Sequence, residues 1–250
     1  MPGRTDNVTD PDLAARLLIA RRGQAYYSRK LNELSDEEFN EPSRLAGWSR
    51  RELIAHVGLN ARALTHLTEW AASGIEHPMY SSPTQRKDDI EFAATLPTQA
   101  LRNLSDHAAI HLNVEWRDLP EEAWSATIRT AQGRIVPASE TVWIRSREVW
   151  IHAVDLGNGA NFLDFPAPFV DALLTDVTSA WARRREAESL PYYVLEPLDR
   201  PQSLRDTIAP PDAVVLRGPA TGLAQWATGR GATGVEAADG SLVPSPPRWL

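Results

Sequence analysis

The segment REVWIHAVDL, residues 147–156, carries a glutamate and a histidine one helical turn apart among Trp, Ile and Val. On a helical wheel, Glu148 and His152 share a narrow polar stripe with Arg145 and Asp155, while the other sides of the helix are apolar. Such a helix is expected to be buried. Because a buried carboxylate without a partner becomes protonated or costs several kcal/mol, Glu148 is predicted to be paired.

A second predicted helix offers the partner. Its apolar face also carries His56 and Asn60, whereas His66 falls on the opposite side. The two helices therefore each direct one histidine inward. Two neutral imidazoles and one carboxylate, from His56, His152 and Glu148, would form a three-ligand site suited to Zn²⁺, with a fourth coordination position left for water or substrate.

Spacing alone also allows less specific interpretations. Glu148 and His152 could form an ordinary pair within one helix, and a histidine on an apolar face is most often a hydrogen-bonded core residue. Asn60 could support a ligand or contact a cofactor, although a buried, hydrogen-bonded amide is the commoner role. A rival metal pair, His107 and His111, lies four residues apart on a third predicted helix. His107 is expected at the surface, and His111 lies at the edge of the apolar face.

The composition excludes several kinds of chemistry. The chain has no cysteine, which rules out disulfides, thiolate zinc sites and a cysteine nucleophile, so any sulfur chemistry needs an external thiol. A net charge of -7 without a basic block predicts no nucleic-acid partner. No apolar run approaches the roughly 18 residues that cross a bilayer, and the first residues lack the apolar core of a signal peptide. We therefore expect a cytoplasmic protein with no membrane partner.

The elements that must position these residues follow from hydrophobic periodicity. The first two thirds of the chain predict four main helices, and AWSATIRTAQGRIVP predicts a short hairpin. The tail predicts a helix, two short β runs and a further short helix. The predicted class is a mainly α, α+β fold: residues 1–160 form a four-helix bundle that carries the metal site, and residues 161–250 form a smaller α+β domain. The main predicted segments are 10–34, 49–73, 98–116, 138–156, 168–188, 192–196 and 213–218.

Around these residues the sequence resembles the mycothiol-dependent maleylpyruvate isomerases of the DinB-like metal-binding superfamily. LIAHVGLNARAL contains His56, SREVWIHAVDLG contains Glu148 and His152, and both are similar to the metal-binding motifs of that family. The resemblance extends through GWSRRELIAH, PMYSSP, TAQGRIVPASETVWIRSREVWIHAVDLG, ATGRG and the final PPRWL. Long strings in the same order at both ends of the chain are more specific than any single motif. The loop at 198–212 is longer than the family pattern.

The resemblance implies a DinB-like bundle and a C-terminal domain of sterol-carrier-like appearance, with catalytic zinc held by His56, Glu148 and His152. It implies that maleylpyruvate becomes fumarylpyruvate in gentisate degradation, by reversible addition of a zinc-bound thiol, mycothiol, to the cis double bond. The family also uses an arginine of the C-terminal domain. The match at WATGRG assigns this role to Arg230, which would contact the dicarboxylate substrate and the cofactor, with Arg217 as the alternative. The C-terminal domain would then close the active-site cleft.

Two other functions fit the same residues. A mycothiol S-transferase would add the thiol to an electrophile and release a stable conjugate, whereas an isomerase returns a product of unchanged mass. A non-enzymatic helical binding protein would keep Glu148 and His152 as a structural pair and bind no metal.

Overall fold

Five α-helices form the first of two compact units, Met1–Ala160, in a computed structural model that describes residues 5–201 and 210–249. Helices α1, α2, α4 and α5 form a bundle in which α1 packs on α5, α5 on α2 and α2 on α4. The short α3 lies against α2. Strands β1 and β2 form the antiparallel hairpin predicted between the last two main helices. The elements are α1 (Pro11–Asn32), α2 (Arg50–Ser73), α3 (Gln85–Ala94), α4 (Thr98–Asp118), β1 (Thr127–Arg129), β2 (Ile135–Pro137) and α5 (Glu140–Asp155).

Helix α2 begins and ends at residues with local capping chemistry. The Ser49 side chain accepts a hydrogen bond from the Glu52 amide, and Glu52 Oε2 accepts one from the Ser49 amide at 2.7 Å, which completes a capping box. At the other end Gly74 adopts a left-handed conformation with φ 72°, which glycine accepts without steric cost. Both helix ends agree with the prediction from the sequence, and the helix they delimit carries His56 inward.

Helix α5 is enclosed by its neighbours, as expected of a helix with apolar residues on most sides. Val142, Val149 and Ala153 are fully buried. Helix α1 approaches closely at Gly23, where a Cβ atom would lie 2.5 Å from Trp150 Nε1. That nitrogen donates to the Ile19 carbonyl at 3.1 Å. Polar side chains on α5 therefore face protein on most sides rather than water.

The second unit, Asn161–Leu250, combines two described helices with a three-stranded sheet of order β3-β4-β5. Strand β3 runs parallel to β4, and β5 runs antiparallel to it. Trp181, Tyr193 and Trp226 pack their rings together with centroids 5.3 to 5.6 Å apart. The elements are α6 (Ala167–Glu188), β3 (Tyr193–Pro197), β4 (Val214–Gly218), α7 (Ala220–Ala227) and β5 (Glu236–Ala237).

The observed elements confirm the predicted mainly α, α+β class. The longer loop predicted at 198–212 includes residues 202–209, which lie outside the described residues. None of the described helices has both the length and the apolar character needed to cross a membrane.

Candidate metal centre

Three side chains from two helices converge at one point in the first unit. His56 comes from α2, and Glu148 and His152 come from α5. Each offers one ligand atom, and these atoms all lie within 4.8 Å of one another. Glu148 Oε2 is 2.9 Å from His56 Nε2 and 3.1 Å from His152 Nε2. The structure thus brings together the three residues that the sequence predicts as metal ligands.

Helix geometry explains this arrangement. Residues four apart point to the same side of a helix, so Glu148 and His152 are neighbours on α5. Helix α2 packs against α5, and His56 reaches the pair from across that contact. The imidazole rings of His56 and His152 meet edge to face with centroids 5.1 Å apart. The cluster is largely shielded from water, with side-chain exposures of 8% for His56, 16% for Glu148 and 14% for His152.

The donor arrangement fits a metal ion better than a set of hydrogen bonds. The distances from Glu148 Oε2 to the two ring nitrogens would permit hydrogen bonds, but within the described part of the chain this buried oxygen has no partner in acceptable hydrogen-bond geometry. A buried carboxylate oxygen without a partner needs an explanation. Two imidazole nitrogens and one carboxylate oxygen are the donors of zinc sites that keep an open position.

The electrostatics of the cluster favour the ligand forms of Glu148 and His56, whereas His152 is shifted the other way. Burial by itself would raise the pKa of Glu148, but His56 and His152 hold it well below its usual value, so the carboxylate is ionised. Burial lowers the pKa of His56, which favours the neutral ring that a metal requires. Burial also acts to lower the pKa of His152, but the hydrogen bond to Asp155 and the nearby charge of Glu148 raise it overall. A cation at His152 Nε2 would compete with a proton for that nitrogen.

Asp155 supports His152 from the ring nitrogen that does not face Glu148. Its Oδ2 lies 2.8 Å from His152 Nδ1, and the residue is fully buried. A carboxylate at this position fixes the tautomer that leaves Nε2 available to a metal, and it orients the ring. The sequence placed Asp155 in the polar stripe of the helix but gave it no role. Its position three residues after His152 was the available signal.

Replacing Asp155 by asparagine should weaken Zn²⁺ binding by roughly tenfold to a hundredfold. The amide keeps the shape of the side chain but removes the charge that raises the basicity of His152. Competition with a chelator of known affinity measures the change. Asp36→Asn, at a side chain that is 71% exposed, is the matched control. Equal zinc affinity in the wild type and Asp155→Asn would rule out this supporting role.

Asn60 lies one turn after His56 and is buried with an exposure of 4%. Its Oδ1 accepts a hydrogen bond from Arg145 Nη1 at 3.0 Å, and the same nitrogen donates to the Val57 carbonyl at 2.7 Å. Arg145 Nη2 donates to Gln24 Oε1 at 2.8 Å. Asn60 therefore helps hold a buried guanidinium in place, and its contact with a cofactor stays a prediction.

The two candidate arginines of the C-terminal region lie in the second unit. Arg230 is half-buried two residues after the helix-capping Thr228, and its Nη1 donates to the Thr228 carbonyl at 2.6 Å. Arg217 is exposed on β4, with its Nε 2.6 Å from Glu196 Oε2. Arg217 is therefore neutralised within its own sheet. The catalytic role predicted for Arg230 stays a prediction.

The rival histidine pair does not form a metal cluster. His107 and His111 are both exposed on α4, and His111 Nε2 lies 3.4 Å from Glu115 Oε1. Among the described residues, the one group of three or more potential ligands is the cluster of His56, Glu148 and His152.

Three residues outside α2 and α5 lie close to the cluster. The Trp48 ring meets the His56 ring edge-on with centroids 5.6 Å apart. Arg86 Nη2 lies 3.4 Å from His56 Nδ1. The pKa of the Tyr80 phenol is raised by burial, lowered by Arg86 and raised by Glu148. Tyr80 is therefore within electrostatic reach of Arg86 and Glu148. Tyr80 lies in PMYSSP, one of the strings that resemble the family, but the sequence predicted no role for it or for Arg86.

Comparisons with known proteins point to one family. Residues 20–157 match the model described as "Mycothiol maleylpyruvate isomerase N-terminal domain", and residues 164–242 match "MDMPI C-terminal domain". Two crystal structures, of the mycothiol-dependent maleylpyruvate isomerase and of a histidine-to-alanine mutant of it, are each 47% identical to this chain. Each match covers 95% of this chain and 97% of the other, with a TM-score of 0.87. Among curated proteins there was no significant match. The resemblance read from the sequence is confirmed, and the chain belongs to the mycothiol-dependent maleylpyruvate isomerase family.

Proposed function

We propose that this protein is an isomerase that converts maleylpyruvate to fumarylpyruvate, with mycothiol as its thiol cofactor and Zn²⁺ held by His56, Glu148 and His152. One observation carries the proposal. A buried cluster of two histidines and one carboxylate lies in a chain that is 47% identical, over 95% of its length, to a mycothiol-dependent maleylpyruvate isomerase. The absence of cysteine fits a thiol that comes from outside the chain.

The proposed chemistry matches the residues present. Rotation about a cis double bond needs a step in which that bond becomes single, and nucleophilic addition provides it. When bound, zinc and mycothiol would supply a thiolate for this addition at neutral pH. The three protein ligands His56, Glu148 and His152 would leave a coordination position for a sulfur or oxygen ligand. Asp155 would keep His152 in the tautomer and orientation that the site requires.

Arg230 is the residue that we propose for the C-terminal contribution, on the strength of the match at WATGRG. A guanidinium can make a bidentate contact with a carboxylate, and so could help orient a dicarboxylate substrate. The ion pair between Arg217 and Glu196 argues against Arg217 in this role. Because the cofactor must stay a reduced thiol, we also propose a cytoplasmic location.

The proposal is tested with the full chain loaded with Zn²⁺. It should convert maleylpyruvate only when mycothiol is present, and the product should have the mass of the substrate. Loss of the maleylpyruvate absorbance measures the rate, and mass spectrometry identifies the product. Protein treated with a chelator and reactions without thiol are the controls. An unchanged absorbance with both cofactors present, or a product heavier by one thiol, would contradict the proposed reaction.

A further inference from the structure

Arg86 lies beside the candidate metal cluster and has no carboxylate partner in the described part of the chain. It lies at the second position of α3, is exposed, and places Nη2 3.4 Å from His56 Nδ1. The other nitrogen of that ring faces Glu148. No carboxylate among the described residues lies within ion-pair distance of this guanidinium. Arg50 of the same unit, by contrast, is paired with Glu41 at 2.7 Å.

The position of Arg86 opposes metal binding. A guanidinium next to a ligand ring repels a cation held by that ring, and the repulsion is stronger where the surroundings are buried. No carboxylate among the described residues pairs directly with Arg86, and the ionised Glu148 lies at the other nitrogen of the His56 ring. An anion that arrives with the substrate would offset the charge of Arg86, and would turn an unfavourable contact into a binding interaction.

Tyr80 adds a second donor at the same place. The residue is half-buried, and its phenol interacts electrostatically with both Arg86 and Glu148. A phenol is protonated at neutral pH, so the Tyr80 hydroxyl can donate a hydrogen bond. A guanidinium and a phenol together present donors that suit a carboxylate.

We propose that Arg86, assisted by Tyr80, binds one carboxylate of the dicarboxylate substrate and so positions it beside the metal centre. The planar guanidinium can hold a carboxylate through two parallel hydrogen bonds, which fixes orientation as well as distance. A substrate with two carboxylates can accept more than one cationic contact, and Arg86 would provide one of them. This inference rests on the proposed function, and it assigns a residue of the first unit that is neither a metal ligand nor part of the WATGRG match.

Binding of maleate, a cis dicarboxylate, to the Zn²⁺-loaded full chain without thiol tests the inference directly. We expect Arg86→Met to weaken maleate binding by roughly tenfold to a hundredfold, because a charge-assisted contact is lost. Arg86→Lys should recover only part of the affinity, since an ammonium group cannot make the bidentate contact. In turnover, Arg86→Met should raise KM more than it lowers kcat. Lys87→Met removes the adjacent exposed cation and should leave maleate affinity unchanged.

The outcomes separate this inference from the proposed function. Unchanged maleate affinity and KM in Arg86→Met would overturn the inference even if the protein is an isomerase. Arg86→Met could instead bind zinc more weakly but, once saturated with zinc, still bind maleate as tightly as the wild type. That result would also overturn the inference, and it would leave Arg86 as a structural partner of His56. A wild type that binds no maleate, or an equal loss in Lys87→Met, counts against it as well. If Arg86→Met binds maleate more weakly but the wild type does not isomerise maleylpyruvate, the proposed reaction is wrong and the carboxylate-binding role of Arg86 is still supported.

Discussion

Replacing His56 or His152 by alanine is expected to remove the bound zinc and to lower isomerase activity by at least about a thousandfold. Each histidine supplies one of only three protein ligands, so two remaining donors cannot hold the ion at the same affinity. The helical unit should stay folded. Loss of one partly shielded side chain costs roughly 1–3 kcal/mol, against a total stability of about 5–15 kcal/mol for a domain of ordinary stability.

Metal content and turnover measured on the same samples test this expectation. Wild-type protein purified without a chelator should contain about one zinc ion per chain, and either variant should contain close to none. The far-ultraviolet circular dichroism spectrum should keep its helical shape. His111→Ala is the matched control, because His111 is exposed on α4 and lies outside the cluster. A variant that keeps stoichiometric zinc and full activity would show that the cluster is only a structural pair.

Replacing Arg145 by methionine is expected to destabilise the helical unit by about 2–4 kcal/mol. Burial lowers the pKa of Arg145 to about 10, so the guanidinium is still charged at neutral pH. It donates to the Val57 carbonyl, Asn60 Oδ1 and Gln24 Oε1 at 2.7 to 3.0 Å. The substitution leaves these acceptors without their donor in a buried place. Relief from burying a charge offsets part of that loss, which is why the expected total is less than the sum over three hydrogen bonds.

Amide hydrogen exchange of peptides from α2 and α5 in increasing urea measures this effect in the helical unit alone. A control is Arg134→Met, at a side chain that is 49% exposed and 3.6 Å from Glu140, where a change within about 0.5 kcal/mol is expected. If Arg145→Met changed stability no more than Arg134→Met, the buried hydrogen bonds would make no net contribution. Greater stability in the variant would mean that the free-energy cost of burying the guanidinium exceeds the stabilisation from its hydrogen bonds.

The elements and the closeness of Glu148 to His152 were predictable because their signals are local. The capping box at Ser49 and the glycine at Gly74 determine where α2 begins and ends, whatever packs around it. Helical spacing alone places Glu148 beside His152, since both lie on one helix. The absence of cysteine also follows from the sequence, and so does the need for an external thiol in any sulfur chemistry.

The pairing of residues from different helices was decided by the tertiary structure. Helical periodicity predicted that His56 faces inward, but it did not determine whether the side chain contacts Glu148 or an ordinary core partner. The rotation and axial position of one helix relative to another depend on packing along their whole contact. For the same reason, the sequence could not show that Asn60 accepts from Arg145, or that Arg86 lies beside His56. Local spacing determined which groups could act on each helix, and packing between helices determined which of them act together.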